Sequence, residues 1–225
     1  MPTVMNDVET RGTLVTAARI LSDLGLVQGH GHLSSRLDDG TVVCTPRAAP
    51  SLASAADMIR FHLDNWQQQD RLPVEIVMHT TIYEAHPDAG AIVRVHSSLI
   101  DAIGARLREV PIVHGRGSHL RGSPRVFDDP SPISTPERAT RVADLLTECR
   151  AVVLRGNGAV IVGHDLPDAV SNASYLLETV NIHLGGGLPE PARPFTAEEL
   201  ALRGSGLEKD SSSRTWNYLV SMTHS

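Results

Sequence analysis

The sequence predicts an α/β fold in which a sheet with substantial antiparallel character is covered by helices on both faces. Three observations predict it. Helical and strand periodicities are intermixed along the chain rather than segregated. Neighbouring strands are joined by tight Asp-Asp-Gly and Gly-Asn-Gly turns, which suit antiparallel pairs. Of 225 residues, 41% are hydrophobic but only 4% aromatic, so the core is aliphatic.

Apolar residues at helical spacing (Leu14, Ala17, Ala18, Leu21) predict a helix over Val8–Leu24, stopped by Gly25. "GHLSSRLDDGTVVCTP" reads as two strands, Leu33–Leu37 and Thr41–Thr45, around a turn. A strand near Met58–Leu63 follows, with "HLDNW" turning into another. Pro73 precedes a helix over Glu75–Ala85, and "HPDAG" breaks it before a buried strand, Ala91–Val95. A helix over Leu99–Ala105 and a short strand over Val110–Val113 come next. Residues His114–Pro132 have no period and read as a loop. In "STPERATRVADLLTEC", Ser134 or Thr135 caps a helix, and Pro136 and Glu137 suit its first turn. "AVVLRGNGAVIVG" is a hairpin, and the following helix ends at Gly185. Two further helical segments, Ala197–Leu202 and Ser212–Ser221, complete the chain. No repeat or linker divides it, so 1–225 is expected to be one domain, with 190–225 a helical tail.

A formal charge of -6 with interspersed signs argues against a nucleic-acid surface, which needs clustered Lys and Arg. Two cysteines, Cys44 and Cys149, make no disulfide framework, and a reducing, cytoplasmic setting is expected. No apolar run approaches the roughly 18 residues that span a bilayer, and the polar N-terminus is unlike a signal peptide. The dinucleotide fingerprint, the phosphate loop and the Gly-x-Ser-x-Gly elbow are all missing from the sequence.

The chemistry-bearing residues each carry two readings. Glu75 begins a helix, as a general acid/base aimed into a cleft or as an acid that complements the helix dipole. His79 and Tyr83 follow on roughly the same face, lining that cleft or satisfied within the core. Arg94 and His96 point the same way from the Ala91 strand and its end. A buried arginine must be paired or used on an anion. Asn157 is either a functional amide or simply the centre of a hairpin turn. His30 and His32 alternate with glycine, which lets backbone approach a ligand. His114 and His119 lie on the Gly-rich stretch, and the four histidines match no tight metal spacing.

Together these segments resemble the class II aldolase/adducin family over about residues 10–190. The matching parts are "LSDLGLVQGHGHLSSRL", "VVCTPRAA", "EIVMHTTIYEAHPDAGAIVRVHSS" and "AVVLRGNGAVIVGHDLPDAV". The resemblance implies a three-layer α/β/α sandwich with a mainly antiparallel sheet, and a homotetramer with active sites at subunit interfaces. Metal-dependent members bind zinc with His-x-His on the strand and a third His in the hairpin turn, beside an acid/base Glu. Carried over, the acid/base is Glu75 and one ligand is His96, but the other two ligand positions hold Arg94 and Asn157. The family's two phosphate grips are replaced by "GHLS" and "LPVE", a form similar to the branch with decarboxylase-type members.

No cofactor is therefore expected, the alternative being zinc at a site rebuilt from His96 with Glu75, His30 or His114. A guanidinium about 4 Å from a divalent ion repels it by on the order of 8 kcal/mol at an effective dielectric near 20. The resulting expectation is a lyase on a small, non-phosphorylated hydroxy or aromatic acid, acting by decarboxylation or retro-aldol cleavage. Arg94 takes the place of the metal as electrophile, Asn157 donates to the same oxygen, and Glu75 or His96 moves the proton. Arg47 is a candidate carboxylate receptor, and Tyr218 on the terminal helix a candidate contributor to the substrate site at a subunit interface. The competing expectations are a non-catalytic adducin-like module and an epimerase or dehydratase.

Overall fold

The computed structural model describes residues 6–185, 193–204 and 208–223. The elements are α1 (Asp7–Asp23), β1 (His32–Arg36), β2 (Thr41–Cys44), β3 (Ile59–His62), α2 (Ile76–Ala85), β4 (Ala91–Val95) and α3 (Ser98–Arg106). They continue as β5 (Arg125–Phe127), α4 (Pro136–Leu145), β6 (Ala151–Leu154), β7 (Ala159–Gly163), α5 (Leu166–Leu184), α6 (Ala197–Gly204) and α7 (Glu208–Met222).

The strands form one seven-stranded sheet in the order β3-β2-β1-β4-β7-β6-β5. Every pairing is antiparallel except β5 with β6. Alternation along each strand divides the core in two. Val93 and Val95 of β4 join Leu14 and Leu21 of α1, Ile100 of α3 and Leu176 of α5 in one layer. Ile92 points the other way, to Met78 and Ile82 of α2 and Val142 of α4. This is the α/β/α sandwich expected, and its fully buried aliphatics make both faces sensitive. Truncating Ile92 or Leu176 to alanine costs about 2–5 kcal/mol.

Helix starts follow their local chemistry. Asn6 and Glu9 form a reciprocal capping box on α1, each bond 3.0 Å long. Thr135 caps α4, with Pro136 in its first turn, and Asp165 caps α5.

Three segments depart from expectation. After β3 the chain makes a 3₁₀ turn at Trp66–Gln68, not another strand. Val110–Val113 forms no strand; only a single bridge, Glu109 to Arg125, ties its neighbourhood to β5. The His114–Pro132 stretch contains a 3₁₀ turn (Arg116–Leu120) and the edge strand β5. A three-residue edge strand held by one parallel neighbour is too short to show a period.

Candidate active site

Two periodicities meet between β1 and α2. Residues two apart on a strand share a face, so His32 and Ser34 of β1 both look toward α2. Residues four apart on a helix share a face, so Glu75, His79 and Tyr83 look back. Arg94, directly opposite His32 in the β1–β4 ladder, points the same way. The result is a polar seam through an aliphatic layer.

Most polar groups in the seam have partners. Glu75 sits at the N-cap of α2 but does not cap it. Its Oε2 instead accepts from Arg94 Nε at 3.0 Å, and its Oε1 accepts from the Ile133 backbone N–H at 2.8 Å. His32 Nε2 lies 3.6 Å from Glu75 Oε2, too long for a full hydrogen bond. His32 Nδ1 is 2.7 Å from His79 Nε2, and His79 Nδ1 is 2.7 Å from Ser34 Oγ. Ser34 Oγ is 2.9 Å from the Tyr83 hydroxyl.

Burial would raise the Glu75 pKa. The polar contact with His32, the Arg94 guanidinium and the Ile133 N–H outweigh it and hold the carboxyl well below its usual range. Burial lowers His32, with Arg94 adding to the effect, and pushes His79 further down. His96 falls to about 4, first through burial and then through Arg94. At neutral pH the site thus holds one ion pair, Arg94 with Glu75, and neutral imidazoles at His32, His79 and His96.

A cavity of about 410 Å³ opens on the seam. His30, His32, Arg47, Glu75 and His96 all line it, beside Pro46, Pro73 and Val74. The His30 and His96 rings stand 5.9 Å apart across it. Arg47 is exposed and, among the described residues, its guanidinium has no carboxylate partner. Gly31 explains how His32 reaches this place. Its φ is +117°, and a Cβ there would lie 2.8 Å from the Arg94 carbonyl oxygen. The glycine thus permits close approach to β4, and it also lines the cavity.

Other expected residues lie elsewhere. Arg94 is fully buried beneath Glu75 and does not line the cavity; its Nη1 donates to the Val95 carbonyl at 2.7 Å. Its Nη2 has no partner among the described residues. A guanidinium committed to Glu75 cannot in this arrangement also clamp a substrate. His79 and Tyr83 are core members of the seam, not cleft residues. Asn157 is the half-buried centre of the β6–β7 turn between two left-handed glycines, and its side chain is not among the cavity's lining. His114 bonds Thr179 of α5 at 2.8 Å, and His119 stacks on Tyr175 of α5. Tyr218 is 62% exposed on α7 and borders a different surface depression. Ser34 was missed by the sequence reading, although its two-residue spacing from His32 is a usable signal.

The donor set does not fit a three-imidazole metal. Arg94 and Asn157 occupy two of the implied ligand positions, and the Arg94 charge is already directed at Glu75. Among the described residues, no three His, Cys, Asp or Glu side chains are grouped to hold an ion. Both cysteines are buried free thiols raised to about 12, which leaves them unsuited to nucleophilic work.

This fold and seam define a class II aldolase-type protein. Residues 12–184 match the Class II Aldolase and Adducin N-terminal domain, and the chain belongs to that family. It is 28% identical over 190 residues to a 3-oxo-tetronate 4-phosphate decarboxylase of Haemophilus influenzae, covering 79% of this chain and 88% of that protein. It is 25% identical over 170 residues to an L-fuculose phosphate aldolase of the same organism, covering 74% and 78%. The solved L-fuculose 1-phosphate aldolase of Glaciozyma antarctica superposes with a TM-score of 0.80 at 19% identity, over 100% of this chain and 95% of that one.

Proposed function

We propose that the protein is a carbon–carbon lyase acting on a small, non-phosphorylated hydroxy or oxo acid, aromatic acids included. The observation that carries this reading is the convergence of Arg47, His30, His32, Glu75 and His96 on one cavity. Arg47, at the exposed rim, suits a substrate carboxylate through a bidentate pair. The decarboxylase and aldolase named above support cleavage of a carbon–carbon bond. The absence of their family's phosphate grips from "GHLS" and "LPVE" supports a substrate without phosphate.

Both candidate reactions leave an electron pair on a carbon next to a carbonyl, as an enolate. In decarboxylation the pair comes from the bond to departing carbon dioxide. In retro-aldol cleavage it comes from the bond to a hydroxyl-bearing carbon, whose O–H proton must be removed. His96, half-buried at the cavity wall and neutral at pH 7, is placed for that proton. Glu75 is a weaker base, because its charge is already satisfied by Arg94 and Ile133. Its role in this reading is a fixed negative anchor, and Arg94 keeps it ionised. Residues 1–225 are read as one domain; of the 190–225 tail, the described residues hold α6 and α7, and the rest lies outside the described residues.

Oligomerisation is part of the proposal. Val74 at the cavity rim, and Tyr218 and Met222 on α7, leave large side chains more than half exposed on the single chain. A homotetramer that covers them fits the interfacial active site implied by the resemblance. No helix among the described residues is long and apolar enough to cross a membrane.

The test is a panel of hydroxy and 3-oxo acids, each with and without a terminal phosphate, assayed for carbon dioxide and aldehyde release. Turnover of a non-phosphorylated member that falls on Arg47→Ala supports the reading. Binding of such acids without bond cleavage would favour the adducin-like module instead.

A further inference from the structure

The seam contains more than a lyase site requires. Tyr83, Ser34, His79 and His32 form an unbroken run of contacts of 2.9, 2.7 and 2.7 Å, ending 3.6 Å from Glu75. All four side chains are buried. A chain of this kind has a direction, because each neutral imidazole carries one N–H and one lone pair.

Only one direction suits both ends. If His32 carries its proton on Nδ1, its Nε2 lone pair faces the Glu75 carboxylate, and two negative regions meet at the cavity wall. If the proton is on Nε2, the N–H faces that carboxylate. His32 Nδ1 then accepts from His79 Nε2–H, His79 Nδ1 accepts from the Ser34 hydroxyl, and Ser34 accepts from the Tyr83 hydroxyl. Every bond is satisfied in that sense.

We propose that the Tyr83–Ser34–His79 chain locks His32 in the Nε2–H tautomer, making it a neutral hydrogen-bond donor for the enolate oxygen formed in the cavity. The 3.6 Å separation leaves this N–H under-used by Glu75, and His32 lines the cavity where substrate would sit. A preorganised neutral donor stabilises an oxyanion without moving at the moment of reaction. Polarisation along the chain strengthens the donor. His32 is then a catalytic residue, while His79 and Ser34 are positioning residues that act through it. This function rests on the lyase reading; the tautomer does not.

The test is ¹⁵N NMR of the histidine side chains in ligand-free protein at pH 7, with His32 assigned by mutation. The expected result is a pyrrole-type Nε2 and a pyridine-type Nδ1 at His32. His79→Gln should keep that pattern, since a glutamine amide donates to His32 and accepts from Ser34. Ser34→Ala removes the donor to His79 Nδ1, and His32 should move to a mixture of both tautomers. A pyridine-type Nε2 in the unaltered protein, or an imidazolium at pH 7, would overturn the inference. Titration with oxalate, a planar enolate mimic, separates the two claims. If the tautomer is as stated but bound oxalate leaves the His32 signals unmoved, the donor role falls while the lyase reading, judged by carbon dioxide or aldehyde release, stands; a wrong tautomer removes the chain and the donor role together.

Discussion

His32 on β1 and Arg94 on β4 sit directly opposite one another in the antiparallel ladder, and both reach the same oxygen of Glu75. The two contacts differ in kind. Arg94 donates at 3.0 Å from a position with no solvent exposure, while His32 stands off at 3.6 Å and lines the cavity. One partner fixes the carboxylate's charge from behind, and the other leaves a donor facing the cavity.

The ion pair should behave as a unit. Arg94→Met leaves Glu75 buried without its cation, at a cost of about 3–5 kcal/mol, and Glu75→Leu leaves the guanidinium in the same position. The double variant should recover most of that loss, since it buries no charge. Urea denaturation of the four proteins measures the coupling. Additive losses would mean that the two charges do not stabilise each other.

Stability should fall as the solution is acidified from about pH 6.5 towards pH 4. His32, His79 and His96 are all lowered in the folded protein, His96 to about 4. In that window the unfolded chain takes up protons that the folded chain refuses, so acid favours unfolding. Glu75, also lowered, adds a second decline below its unfolded value near 4.3. The denaturation midpoint against pH reads the slope, and His96→Asn should flatten its upper part. A midpoint independent of pH between 4 and 6.5 would contradict the burial assigned to these rings.

Arg47 should control substrate capture rather than folding. It is exposed and holds no carboxylate partner among the described residues, so Arg47→Ala should leave the denaturation midpoint unchanged. Loss of a charge-assisted bidentate pair, about 1.5–3 kcal/mol, corresponds to a drop in kcat/KM of about 10- to 150-fold. Arg47→Lys should recover part of the loss, because a point charge cannot form the fork. An unaltered kcat/KM would move the carboxylate receptor elsewhere in the cavity.

Most of the sheet was legible because its strands carry strong signals. Ala91–Val95 is a continuous aliphatic run, and the Gly-Asn-Gly turn fixes the β6–β7 hairpin. The edge strand β5 was hidden because three residues show no period. The cavity was partly legible: Glu75, His96, His30, His32 and Arg47 converge as a group. The sequence could not show that Arg94 would turn its charge to Glu75 rather than outward. It also could not separate His79, with no exposed surface, from His32, which lines the cavity. Both distinctions depend on the depth at which a helix sits on a sheet, which no local spacing encodes. His114 and His119 were singled out on a Gly-rich stretch without a period, and they pack against α5; Tyr218, expected at a subunit interface, lies on α7.

Chelation should leave activity intact. Two of the implied ligand positions hold Arg94 and Asn157, and of the cavity's imidazoles His32 is bonded to His79 while His30 and His96 stand 5.9 Å apart. Turnover after EDTA dialysis should match that of untreated protein, and elemental analysis should find far less than one zinc per chain. Loss of turnover that zinc restores would establish a rebuilt metal site and overturn the metal-free reading of the cavity.

Gly31 is the backbone position on which the site geometry depends most directly. Its φ of +117° is a region that side chains resist, and a Cβ there would lie 2.8 Å from both the Arg94 carbonyl oxygen and Val27 Cγ1. Neither neighbour has room to retreat: Arg94 is pinned in the β1–β4 ladder, and Val27 is fully buried. Gly31→Ala should therefore cost at least about 2 kcal/mol. The strain falls on the residue immediately before His32, so the ring should shift relative to His79 and Glu75. Activity should drop more than the fraction of unfolded protein explains, while binding of carboxylates at Arg47 persists. Gly29→Ala, where a Cβ meets nothing within 4 Å, is the stability control on the same loop and should leave the denaturation midpoint unchanged. Equal behaviour of the two variants would show that His32 holds its place without help from the glycine.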